Sequence, residues 1–489
     1  MKNLKKIVKA DLTNNLDVSL SFDTSKLEVH ESSNKKVSYK PFLIAGICSL
    51  ITILLIPTAF ILAIGLNFDD SFKSVKKTYS IHELNNIENK SFRSLNSVTY
   101  PDEFLKHNEL DKQFVDGYND FSYDIYINSN IHNDNNFAFS PATLYSNLSM
   151  ISLASNNLEI KDTLNDILNS DEELRKTNYK GFYENNYYAN KSGTTQMYNG
   201  VFMSNNYEYN EAFINNLSPY YAEAFSLDFN NEKDVNKLLS WIDQKVNSDN
   251  YLDKKQLQLD DNSAICFVST MYFDNEWSLS FDEKYSYEDD FYVSLDEAEL
   301  VTFMNHEYYG DIYDYGSYVS VYDSYTSNRK IQYLVPKSLS DDINDLLKDV
   351  NFLKEDESKL LLDENGESIL IDLHLPKYSN SNVVDFKNVL SKKGLAKIFE
   401  KESKALNNAF KNLKEDEGIY LNSIFQKNEI SFTESGTTIK SVNFSLGAGA
   451  AGPGEELDTY IVKLNQPFVY VIYDDNNMPL FIGNVDCIN

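Results

Sequence analysis

The sequence predicts a mixed α+β fold standing behind a single membrane-crossing helix, and three observations lead there. An uncharged apolar run occupies residues 42–66. Helical and strand-type apolar spacings then intermingle from about residue 105 to the end. A glycine- and alanine-rich stretch, residues 447–454, interrupts two strand signals near the C-terminus. The chain has 489 residues, room for a membrane segment plus one large domain or two ordinary ones. Its formal charge of −30 argues against nucleic acid or anionic lipid as partner of the soluble part. With 34 tyrosines and 30 phenylalanines there is ample material for a core. Cys48, Cys266 and Cys487 form no paired framework, so packing must hold the fold, and Cys266 reads as an inert buried thiol.

In chain order, residues 1–41 read as a polar cytoplasmic tail and residues 42–66 as the transmembrane helix, with Pro57 a tolerated kink. A secretory signal peptide fits less well, because the apolar run is long and starts far from Met1. Lys35, Lys36 and Lys40 before the run, against Asp69 and Asp70 after it, place the N-terminus in the cytoplasm; Lys73, Lys76 and Lys77 blunt that bias. The expected location is therefore a single-pass protein of the cell membrane with its large domain outside. Residues 67–104, rich in Ser, Asn and Lys, read as a tether, leaving residues 105–489 as that domain.

Within it, Phe114, Tyr118, Phe121 and Ile125 fall on one face of a helix. Asn136 to Phe139 suit a short buried strand, after which Ser140 is a good N-cap and Pro141 a good first helical residue. Val235, Leu238, Leu239, Ile242 and Val246 predict an amphipathic helix. Residues 264–273 are apolar on both faces, as a central strand must be. Asp363 to Glu367 lacks the ligand alternation of a calcium loop, and Asn365-Gly366 predicts a turn. Residues 369–375 alternate as a half-buried strand, and two strand signals, residues 467–472 and 479–485, close the chain.

No active site emerges. The six histidines are scattered and show no zinc spacing, and His374 sits in an alternating strand as a structural residue. There is no G-x-S-x-G elbow and no P-loop. Residues 447–452 match G-x-G-x-x-G literally, but Pro453-Gly454 follows at once, where a phosphate-holding helix would have to start. An exposed, protease-accessible loop is the better reading. Neither enzyme, metal nor cofactor is implied.

Several segments then carry a resemblance in the right order. Asn136-Phe137-Ala138-Phe139-Ser140-Pro141 looks like the N-x-x-F-S-P signature of the serpin family. Phe273-Asp274-Asn275-Glu276-Trp277 with Phe281, Asp289-Asp290-Phe291, Leu375-Pro376-Lys377-Tyr378 and the C-terminal strands follow suit. Residues 419–437 align with the strand that leads into that family's reactive loop. From about residue 105 onward the chain resembles a serpin, and in its leading segments a membrane-anchored, bacterial-type member. The resemblance implies three β-sheets with eight to nine helices and an exposed reactive-centre loop. A serine protease cuts that loop, which then inserts as a new strand and carries the acylated protease with it.

Carried over by residue, the gate at the top of the main sheet falls on Trp277, Lys377 and Glu434. The shutter at its middle falls on Ser140, Thr143, Ser269 and Gln426, where Thr143 replaces a serine and Ser269 and Gln426 replace a buried asparagine and histidine. A rebuilt polar cluster is expected there. The hinge is Glu434, Ser435, Gly436, Thr437, Thr438, Ile439, Lys440 and Ser441; Gly436-Thr437 keep the inhibitory pattern, whereas Ile439 and Lys440 replace small residues. If Thr437 points inward, so do Ile439, Ser441 and Asn443. An unpaired inward Asn443 would cost about 1–3 kcal/mol. By that family's usual spacing from Glu434 the resemblance implies a cut bond at Ala450–Ala451, or a few positions on because the loop is several residues longer than usual, suited to an elastase- or subtilisin-like protease. The alternative is a serpin fold kept as a non-inhibitory binding or adhesion module.

Overall fold

The computed structural model describes residues 92–130, 136–191, 193–260, 262–348, 350–354, 359–363, 366–439 and 459–488. All belong to the compact unit Val75–Asn489. The transmembrane run, the cytoplasmic tail, Lys440, Ser441 and the Ala450–Ala451 bond lie outside them. Among the described residues no helix is long and apolar enough to cross a membrane.

Three large sheets organise these residues, with eight α-helices among them. The central sheet has eight strands. Its main path runs Arg93–Ser94, Ala222–Leu227, Gly193–Ser204, Ile265–Glu276, Gly436–Ile439, Phe425–Phe432 and Tyr378–Asp385. A six-stranded sheet ends in Phe468–Tyr473, Pro479–Val485 and Phe137–Phe139, and both C-terminal strands are buried along their whole length. A four-stranded sheet joins Thr459–Lys463, Ile369–Pro376, Ala298–Gly310 and Tyr287–Tyr292.

Local chemistry explains why the elements start where they do. Ser140 sits in extended conformation (φ −102°, ψ 107°), its side chain accepts from the Thr143 N–H, and Pro141 opens the helix Pro141–Ala154. That helix is buried on nearly every side, because it runs behind the central sheet and also meets Pro479–Val485. The expected stripe Phe114, Tyr118, Phe121 and Ile125 is fully buried on the helix Lys112–Asn130. Around Gly366 the expected turn closes through Gly366 N–H to Asp363 O at 3.0 Å.

One boundary needs correcting. Arg93–Ser94, placed by expectation in the tether, pairs with Ser226 and Phe225 at the edge of the central sheet. Phe92 and Leu95 are buried beside it, so the folded unit starts earlier than residue 105. Two short apolar anchors within a polar stretch leave no periodic signal, which is why the sequence pattern hid them.

Candidate functional site

The hinge segment is already part of the central sheet. Gly436–Ile439 pairs antiparallel with Ile265–Glu276 in the register Gly436↔Glu276, Thr437↔Asn275, Thr438↔Asp274 and Ile439↔Phe273. On its other side Thr437 faces Phe432 and Thr438 faces Ser431. A tight turn makes the return possible: the Thr433 N–H donates to Gly436 O at 3.0 Å and the Gly436 N–H to Thr433 O at 3.3 Å. Gly436 must be glycine here, since a Cβ would stand 2.2 Å from Asn275 O.

Both threonine side chains of the described hinge strand are hydrogen-bonded. Thr437 is fully buried and accepts from the Tyr325 hydroxyl at 2.7 Å. Burial pushes that hydroxyl far above its ordinary value, so it stays neutral and donates. On the opposite face the Thr438 hydroxyl donates to Asp274 Oδ1 at 2.9 Å. Asn275 ties the neighbouring strand in through Thr194 O at 3.1 Å and Thr195 Oγ1 at 3.2 Å.

The three expected gate residues meet at this turn. The Trp277 indole N–H donates to Thr433 O at 2.9 Å, its backbone N–H to Ser435 O at 3.1 Å, and its ring stacks on Tyr325 at 4.7 Å. Glu434 forms an ion pair with Lys377, accepts from Ser286 Oγ at 3.2 Å, and its carbonyl accepts from the Phe281 N–H at 3.0 Å. Tyr325 was not legible as a partner, because it arrives from a loop of another sheet with no pattern around it.

Below Phe273 the arrangement changes. Among the described residues no ladder joins Ile265–Tyr272 to Phe425–Ile430, although Ile265–Glu276 stays paired with Gly193–Ser204 along its other edge. A cleft of about 680 Å³ separates the two strands, lined by Ser140, Thr143, Ser269, Met271, Gln426 and Phe481 among others. Cys266 also borders it, and desolvation pushes its thiol up to about 12, as suits an inert group.

The expected polar cluster forms here, but with one member missing. Gln426 accepts from the Ser140 N–H at 2.6 Å and donates to Ser140 O at 3.1 Å and to Thr143 Oγ1 at 2.5 Å. Ser269 does not join: its hydroxyl is buried and has no hydrogen-bond partner among the described residues, nor does that of Thr270. A serine on the inner strand is too short to span the open cleft. Asn428 and Asn382, which the sequence reading passed over, both donate to Ala138 O, at 2.8 and 2.9 Å.

A strap crosses the front of the cleft. After the helix Glu232–Lys245, anchored through Trp241 Nε1 to Glu223 Oε2 at 2.6 Å, the chain reaches Tyr251. The Tyr251 hydroxyl donates to Lys427 O at 2.7 Å and Lys427 Nζ donates back to Tyr251 O at 2.9 Å. His374 is structural, as expected, held by Tyr287 at 2.7 Å and Asp372 at 3.0 Å. Among the described residues no cluster of His, Cys, Asp or Glu could hold a metal ion.

Comparison with known proteins agrees with this geometry. Alpha-1-antitrypsin-like protein GS55-MS of Ictidomys tridecemlineatus is 26% identical over 369 residues, spanning 72% of this chain and 83% of that protein. Alpha-1-antiproteinase of Rattus norvegicus is 24% identical over 377 residues, spanning 75% and 87%. These relatives are mammalian and lend no support to a bacterial-type member. The native structure of the thermophilic serpin tengpin shares the fold, with a TM-score of 0.66 at 22% identity, covering 78% of this chain and 96% of that one. The family described as Serpin (serine protease inhibitor) matches residues 116–488, and the chain belongs to it: a serpin, a family of protease inhibitors rather than catalysts.

Proposed function

We propose that this serpin is a suicide-substrate inhibitor of an elastase- or subtilisin-like serine protease. The observation that carries the reading is the contrast within one sheet. The hinge Gly436–Ile439 is seated between its two neighbours, and the same two strands stand apart immediately below it. The protease serine attacks the Ala450 carbonyl, the Ala451 amine leaves, and an ester joins Ala450 to the protease. The freed segment then continues down the cleft as a new strand, serpin loop insertion being a recognised instance of strand addition. Each ladder bond gained contributes roughly 0.5–1.5 kcal/mol net, and each fully buried apolar side chain about 1.5–3 kcal/mol. The uncut chain is therefore a kinetic trap, released by cutting. Incubation with pancreatic elastase and with subtilisin, followed by denaturing gels, tests this. A covalent complex is expected; cleaved chain alone would sink the proposal.

Ile439 and Lys440 in the hinge sequence and the orphaned Ser269 hydroxyl favour a second reading, a non-inhibitory binding or adhesion module. A melting curve that does not rise after loop cleavage would support it. For location we propose a single-pass anchor at residues 42–66 with the serpin domain outside the cell, motivated by that run's length and lack of charge. Protease protection of intact cells, read with an antibody to residues 1–41, checks the orientation; loss of that epitope would reverse it.

A further inference from the structure

We propose that the buried pair His306 and Asp323 positions the hinge: it couples the two chain segments that hold Gly436–Ile439 in the central sheet. The first segment, residues 277–281, clasps the turn before the hinge. The Trp277 N–H donates to Ser435 O at 3.1 Å and the Phe281 N–H to Glu434 O at 3.0 Å. The second, residues 323–325, holds the strand itself, because the Tyr325 hydroxyl donates to Thr437 Oγ1 at 2.7 Å. Each segment grips a different part of the hinge, so a shift of one against the other stretches a grip.

His306 touches both segments from behind. It stands on the strand Ala298–Gly310 of the four-stranded sheet and is 9% exposed. Towards the first segment its Nδ1–H donates to Leu279 O at 2.9 Å, and its ring stacks on Phe281 at 4.0 Å. A carbonyl can only accept, which assigns the proton on Nδ1. Towards the second segment Nε2 stands 3.2 Å from Asp323 Oδ2. This is a contact between polar atoms rather than an aligned hydrogen bond, and neither atom has a hydrogen-bond partner among the described residues. The other Asp323 oxygen accepts from the Ser324 N–H at 2.6 Å, next to Tyr325 in the chain. Two residues along from His306, the Tyr308 hydroxyl donates to Tyr322 O at 2.7 Å and backs the tie.

A carboxylate without water is costly unless a donor or cation faces it. Asp323 is 4% exposed, and the His306 ring is what faces its second oxygen. Without that ring's nitrogens Asp323 turns towards water and carries Ser324 and Tyr325 with it, while Leu279 O loses its donor. Both grips then loosen together, and the damage falls on the hinge rather than on the core at large. The consequence for inhibition rests on the insertion reading above; the seating of the hinge does not.

Amide exchange of the uncut full chain, read by mass spectrometry, tests the seating without any protease. The peptide covering residues 433–439 is compared with one from the buried helix Lys112–Asn130. His306→Phe keeps a ring to stack on Phe281 and removes both nitrogens. Its hinge peptide should exchange about ten-fold faster than that of the natural chain, with the helix unchanged. Asp323→Ala should do the same, and the double variant should be no faster than the quicker single one. Asp323→Asn, whose amide can donate to Nε2, should stay within about two-fold of the natural chain. Natural exchange in His306→Phe overturns the proposal. So does equal acceleration of hinge and helix, or an Asp323→Asn hinge as fast as that of Asp323→Ala. With pancreatic elastase, the ratio of covalent complex to cleaved chain should fall about two- to five-fold in His306→Phe. An unchanged ratio beside a faster hinge supports the positioning role and overturns its link to inhibition instead.

Discussion

The upper and lower halves of the central sheet are made by the same two strands and differ in completeness. Above Phe273 a third strand lies between them, its buried threonine is hydrogen-bonded to Tyr325, and the turn that feeds it is clasped by Trp277, Glu434 and Lys377. Below, the strands part around a cleft, and Ser269 and Thr270 keep hydroxyls without partners. A buried unmade hydrogen bond costs about 1–3 kcal/mol. The lower half therefore holds unrealised stability, and the upper half holds the end of the strand that can realise it. The difference teaches that the sheet is neither closed nor fully expanded; it is begun.

The strongest way to break this contrast is to expel the strand already seated. Gly436→Val places its first side-chain carbon against Asn275 O and Glu276 Cα, backbone atoms that cannot swing aside. Overpacking of this kind costs about 1–3 kcal/mol, which is from about five-fold to about 150-fold in rate. The expected outcome is at least that loss in the ratio of covalent complex to cleaved chain on gels, with a native far-UV spectrum. An unchanged ratio would show that seating the hinge is irrelevant. Thr437→Val is milder, since shape is kept and only the acceptor for the Tyr325 hydroxyl disappears. Urea unfolding of the uncut chain should report a loss of about 1–3 kcal/mol, largely recovered when Tyr325→Phe removes the stranded donor as well.

How far these features were legible follows from where their signals lie. Ser140-Pro141 announces a helix start because capping is chemistry between neighbours, and the mostly apolar strands 468–473 and 479–485 announce themselves by composition. Glu434, Gly436, Trp277 and Lys377 were placed through family resemblance, and the fold brings them together. Tyr325, Asn428 and the Tyr251–Lys427 strap were missed, since each joins segments more than a hundred residues apart. Ser269 was expected in the polar cluster and stands outside it, because hydrogen-bond reach depends on the width of a cleft no sequence pattern encodes. The strand at Arg93–Ser94 escaped for want of length.

The lower half can be sharpened by loosening what borders it. Gln426→Leu leaves the Ser140 N–H and the Thr143 hydroxyl without their partner. The cleft admits water to part of that loss, so urea unfolding should show about 1–2 kcal/mol. Lys427→Met then undoes one side of the strap, removing the bond to Tyr251 O and the ammonium 4.6 Å from the Tyr251 ring. About 0.5–1 kcal/mol is at stake for such a cation–π contact. Insertion after cutting, followed by tryptophan fluorescence, should run about two- to five-fold faster. A slower rate would mean that the strap guides the incoming strand rather than bars it.

The smallest effect concerns the far end of the loop, where Thr459–Lys463 forms the edge of the four-stranded sheet beside Ile369–Pro376. Lys463 reaches across to Asp289 at 2.5 Å, and that contact holds the Asp289 carboxyl below its ordinary value of about 3.8. A carboxyl with a depressed folded-state value binds fewer protons folded than unfolded. Its contribution is present above about pH 3.8 and is lost as pH falls through the lower folded value. Asp289 is exposed, so the slope is shallow. Melting curves between pH 5 and 2 should flatten slightly in Lys463→Met relative to the natural chain, while the cut-dependent rise in melting temperature stays unchanged. If Lys463→Met abolished that rise, the edge strand would be part of the insertion machinery, and the division between a begun upper half and a waiting lower half would have to extend to a second sheet.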